Sequence, residues 1–103
     1  MPALEAYWAA FTAWLLDRTD RASCRHREVV ARIRELAVVI GEDLVALRHS
    51  RCVPVAMHLD QLAWQLRLSA QRAALGADVQ ARCGQAVEAA RGLLASSVVE
   101  LRP

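Results

Sequence analysis

The chain reads as an all-α protein: an antiparallel four-helix bundle that associates as a homodimer. Three observations predict this. Alanine (20) and leucine (14) lead a 103-residue chain that holds only four glycines and three prolines, a composition that favours helix. Apolar residues recur at spacings of three and four along four successive segments, the period of a helix with one side in a core. The third of these segments carries two apolar stripes on opposite sides, one more than a surface helix needs.

Helix one is expected over residues 3–17, with Pro2 at its entry, where a missing N–H costs nothing. Leu4, Tyr7, Trp8, Phe11, Trp14 and Leu15 share an arc of about 120°. Asp17, Thr19, Asp20 and Ser23 offer several stops and N-caps, so the next boundary stays open.

Helix two is expected over 22–48. Val30, Ile33, Ala37, Ile40, Leu44 and Leu47 form a coiled-coil-like seam, suited to packing near +20°. Ala31, Val38 and Val45 add a flanking row that widens this apolar side beyond what one neighbour covers. Glu28 and Arg32, and Arg32 and Glu35, support its wet face at ~0.2–0.5 kcal/mol per pair.

Residues 49–53 read as a loop, and Pro54 opens helix three, expected over 54–75. Counting 100° per residue, Val55, Leu59, Leu62, Leu66, Ala70 and Ala73 line one side. Met57, Trp64, Leu68 and Leu75 line the other. Gly76 fits a helix-terminating position and Asp78 an N-cap, so helices three and four form a tight antiparallel hairpin. Helix four, expected over 78–101, presents Val79, Cys83, Val87, Ala90, Leu94, Val98 and Leu101. Its Gly84, Ala86, Ala89, Ala90 and Gly92 keep it thin for a close neighbour.

The second stripe of helix three carries energetic weight. Leaving Met57, Trp64, Leu68 and Leu75 fully in water forgoes roughly 1.5–3 kcal/mol each, on the order of 8 kcal/mol together. It also creates an apolar patch near the upper range that monomers tolerate. Two arrangements satisfy it: a central helix inside the monomer, or a contact with a second copy or another helical protein. The widened side of helix two favours the second arrangement.

Bulk properties bound the rest. The length suits a single helical-bundle domain over residues 1–103, burying roughly 65% of its unfolded surface. Net charge is +2, low for a protein built around nucleic acid. Neither a signal peptide nor a membrane span is expected, and three irregularly spaced cysteines make no disulfide framework, so the expected location is cytoplasmic.

Candidate chemistry is sparse. Cys24, His26, His49 and Cys52 are ligand types that zinc favours, but a continuous helix two separates the two pairs by roughly 35–40 Å. No metal or cofactor is therefore expected. Cys52, beside Arg51, is a candidate exposed thiol, whereas Cys83 falls on an apolar face and His58 on a polar flank. No Ser, His and carboxylate stand in a recognisable order, and the glycines form no phosphate loop, so no catalytic residue is assigned.

Arg18, Arg21, Arg25, Arg27, Arg32 and Arg34 concentrate six positive charges within 17 residues, a candidate anion or nucleic-acid contact. Leu62-Ala63, Leu66-Arg67-Leu68-Ser69 and Ala73 together resemble a helix-turn-helix motif. The resemblance implies Gln71 and Arg72 as base-facing residues. It departs from the pattern at Arg67, where a glycine usually forms the turn, and at Gly76, where an apolar residue usually stands.

The leading functional expectation is a non-enzymatic interaction protein, an adaptor, small chaperone or accessory subunit. It would act through apolar helix faces with Met57, Trp64, Leu68 and Leu75 as the partner-binding row. The alternative is a small nucleic-acid-binding regulator using 18–34 or the 62–73 stretch.

Overall fold

The computed structural model describes residues 2–20, 27–50, 53–73 and 75–100, the side chains at 2, 48, 50, 73 and 93–100 excepted. Four helices account for nearly all of them: α1 (Pro2–Arg18), α2 (Arg27–Ser50), α3 (Val53–Ala73) and α4 (Ala77–Glu100). Each packs against two others, α1 and α3 both lying between α2 and α4. The described residues contain no strand.

The core is the set of faces that the 3.6-residue period marks. All six seam positions of α2 (Val30, Ile33, Ala37, Ile40, Leu44 and Leu47) are buried, joined by Leu36. Leu59, Leu62, Leu66 and Ala70 of α3 meet them, with Val79, Cys83, Val87 and Ala90 of α4. Ala86 and Ala90 keep α4 slim where it enters the core. From α1 come Trp8, Phe11 and Leu15, with Leu4 and Trp14 partly covered and Tyr7 exposed.

Trp8 fastens α1 to α2. Its buried indole Nε1 donates to the Ala37 carbonyl at 2.7 Å. In a helix that same carbonyl serves the N–H four residues on, here Gly41, and its second lone pair takes the indole proton. Gly41 is what lets the ring approach: a Cβ there would stand 3.2 Å from Trp8 Cδ1. Phe11 adds an edge-on contact to the indole, 5.1 Å between centroids.

Helix ends differ from the sequence reading by one to a few residues. α2 continues to Ser50 and α3 starts at Val53, so most of the expected 49–53 loop is helical. Pro54 still falls in a first turn, where it costs no hydrogen bond. At the end of α1, Leu15 O keeps its helical donor, the Thr19 N–H at 3.0 Å, and further donors meet the last carbonyls. Thr19 Oγ1 donates to Leu15 O at 2.7 Å, and Arg34 reaches across from α2 to Leu16 O at 2.8 Å.

Between α3 and α4, Gly76 has φ of +112°, a left-handed backbone that glycine adopts without strain. Its carbonyl accepts the Gln80 N–H at 3.2 Å, which opens α4 two residues earlier than an Asp78 cap requires. Asp78 thus lies inside the first turn, where a carboxylate favours the helix dipole, and pairs with Arg18 of α1 at 2.9 Å.

The Trp8 contact makes a graded expectation. Trp8→Ala is expected to cost ~3–5 kcal/mol in urea unfolding. Trp8→Phe keeps the ring and loses mainly the hydrogen bond, about 0.5–1.5 kcal/mol. Gly41→Leu, which drives a side chain into the indole, should fall with the severe variant.

Asp78 ties stability to pH. Desolvation works to raise its carboxyl pKa, but the Arg18 hydrogen bond, backbone N–H donation and the Arg18 charge outweigh it and hold the group below its ordinary value. A depressed folded pKa means stability that is present above the unfolded value, about 3.9, and lost as the pH falls through the folded one. Asp78→Asn should therefore lower the thermal midpoint at pH 7 and converge with wild type in strong acid.

Candidate functional site

The outward side of α3 leaves a row of large apolar groups in water. α3 runs unbroken from Val53 to Ala73, so one periodicity governs the segment and Arg67 marks no turn. With Leu59, Ala63, Leu66 and Ala70 committed to the core, residues about 180° away must point out. Met57 is 61% exposed, Leu68 46% and Trp64 40%. Leu75 lies past the helix end, where the 100° count no longer places it, and packs partly against the core.

Trp64 is the most engaged member of the row. The Arg91 guanidinium of α4 stands over its ring at 4.4 Å, and Arg67 of α3 at 5.6 Å. Both cations are held by carboxylates, Arg91 Nε by Asp60 at 3.3 Å and Arg67 Nη1 by Glu88 at 3.1 Å. Each stacking contact at such a wet site contributes roughly 0.5–1 kcal/mol. This cover accounts for part of the burial that Trp64 seeks; Met57 and Leu68 have no comparable contact among the described residues.

The row is thus an apolar strip with a charged border. Met57 and Trp64 are seven residues apart, about 10.5 Å along the axis, and Leu68 follows one turn on. Arg67, Arg72 and Arg91 border it, against Asp60 and Glu88. Chemically, such a strip can bury aliphatic and aromatic groups and exchange ion pairs at its rim.

The arginines of 18–34 are drawn largely into intramolecular roles. Arg18 pairs with Asp78. Arg32 donates to Gln65 at 2.8 Å and lies 3.5 Å from Glu35. Arg34 caps α1 and touches Thr19 Oγ1 at 3.1 Å. Arg27 lies at the start of α2. Arg21 and Arg25 lie outside the described residues, as do Cys24, His26 and Cys52. The Arg32 and Glu35 pair is the one the sequence spacing predicts; sequence reasoning missed the other partners because most of them come from another helix.

Beyond these arginines, His58 Nδ1 meets Asp43 Oδ2 at 2.8 Å, an exposed tie between α3 and α2, and His49 is exposed near the end of α2. Cys83 is buried beneath an α3–α4 cleft of about 400 Å³ whose walls include Arg67, Ala70, Gln71 and Gly84. Among the described residues no group of three His, Cys, Asp or Glu is placed to hold a metal ion, and no helix is long and apolar enough to cross a membrane.

The chain matches no family model, no curated protein and no solved structure.

Burial pushes the Cys83 thiol up to about 11. A thiol that ionises less readily folded than unfolded contributes stability that is full below the unfolded pKa, about 8.5, and lost as the pH rises through the folded one. In a Cys24→Ser, Cys52→Ser background, a disulfide reagent at pH 8 should label Cys83 only at the rate of unfolding. Stability should decline between about pH 9 and 11, and Cys83→Ala should remove that decline.

Proposed function

We propose that this chain is a non-enzymatic helical interaction protein, a single domain that binds a second copy of itself through the outward row of α3. The observation that carries the reading is the exposure of Met57, Trp64 and Leu68 on the side of α3 opposite its buried leucines. A partner that covers the exposed parts of Met57 and Leu68 recovers burial worth roughly 1 kcal/mol for each. Trp64, wide and already ordered by two arginines, is the anchor, because a pre-positioned aromatic loses little entropy on binding.

The reading includes an antiparallel bundle. It is supported by paired contacts whose numbers run in opposite senses: Trp8 with Ala37 and Leu16 with Arg34; Arg32 with Gln65 and Asp43 with His58; Asp60 with Arg91 and Arg67 with Glu88; Trp14 with Arg82 and Arg18 with Asp78. Up-down connectivity places each helix beside its chain neighbours and leaves outer faces for association. A cytoplasmic setting belongs to the same proposal, since a reducing compartment suits Cys83 as a buried free thiol.

Trp64→Ala and Leu68→Glu are expected to weaken self-association by at least tenfold, or ~1.4 kcal/mol, while the far-ultraviolet circular dichroism stays helical. Light scattering across a concentration series reads the mass. An oligomeric wild type whose mass both substitutions leave unchanged refutes the assignment of the contact to α3.

A further inference from the structure

A second apolar surface lies between α1 and α2. Ala9 and Ala13 of α1 face Val38, Gly41 and Val45 of α2 across an open groove of about 470 Å³, floored by the edge of Trp8. Val38 and Val45 are exposed although they flank the seam of α2. Among the described residues, the charged groups lining the groove are both acidic, Glu5 and Glu42. It lies between α1 and α2, whereas the Trp64 row looks out from α3 toward α4, so one copy cannot fill its own groove.

We infer that this groove receives the α3 row of a second copy, making the self-contact proposed above a ridge of one molecule in the groove of the next. Two features select that occupant. The first is charge: Arg67 and Arg91 on the border of the row are paired with Glu88 and Asp60, which leaves the exposed Arg72 in excess, and the exposed charged group on the described lining of the groove is the carboxylate of Glu42. The second is spacing. Val38 and Val45 repeat after seven residues, as do Met57 and Trp64, so both rows present groups about 10.5 Å apart and interdigitate in one register.

Such a contact is heterologous. A copy that gives its ridge still presents its groove, so association proceeds head to tail and either closes into a ring or continues. A face-to-face pairing of two α3 rows would instead stop at two.

The inference rests on self-association through α3, and complementation separates the two claims. Leu68→Glu spoils the ridge and leaves the groove; Val45→Glu spoils the groove and leaves the ridge. Both positions are exposed, and circular dichroism checks that each variant folds. Each alone is expected to be monomeric, and their equimolar mixture to form a one-to-one pair by analytical ultracentrifugation. Glu42→Arg, which puts a cation on the groove rim, should weaken wild-type association roughly three- to tenfold. If Val45→Glu associates as wild type does, or the mixture stays monomeric, the ridge-in-groove contact is wrong while the role of α3 stands. A wild type that is monomeric at every concentration overturns both.

Discussion

In this bundle α2 and α4 cover one side of α3 and leave the other facing outward, and the rest of the structure depends on that division. α3 lies between α2 and α4 and gives both of them Leu59, Ala63, Leu66 and Ala70. At 100° per residue, this commitment fixes where every other side chain of the helix points. Met57, Trp64 and Leu68 face outward because the leucines behind them face inward. The exposed row is the geometric remainder of a well-packed core, and shifting it inward by rotation would expose the leucines in exchange.

The chain manages this remainder with charge. Arginine suits the position because its planar guanidinium stacks on an indole while its edge still reaches a carboxylate. Asp60, Arg91, Trp64, Arg67 and Glu88 use both properties to tie α3 to α4 over the aromatic ring. Similar ties join the other neighbours, Arg18 with Asp78 and Arg34 with the end of α1. Exposed pairs of this kind contribute little to stability individually. Their effect is on register, and on leaving fewer guanidiniums available to an external anion.

Much of the fold was legible in the sequence because a helix core obeys a local count. Every seam residue of α2 is buried, and four helices lie where the period places them, with ends displaced by a few residues. At the end of α1, the Arg34 bond to Leu16 O comes from another helix and no local motif announces it. Tyr7 shares an arc with Trp8 yet stays exposed, since the arc is wider than the strip that α2 and α4 cover. The arginine cover of Trp64 was equally hidden, because Arg91 lies 27 positions away in sequence. Leu75 left its row when α3 ended at Ala73, a boundary effect that periodicity alone does not resolve.

Fold and surface are most closely coupled at Gly41. The same missing Cβ lets Trp8 close on the Ala37 carbonyl and leaves the floor of the α1–α2 groove open. Any side chain there gains helix propensity, up to about 1 kcal/mol for alanine, yet presses on the indole at 3.2 Å. The two effects oppose each other in stability but not in shape, for both the added group and a displaced indole change the groove. The α3 row has no such coupling, since its side chains stand clear of the core. The row is therefore open to change without loss of the fold, whereas the groove is built from the contact that holds α1 in place.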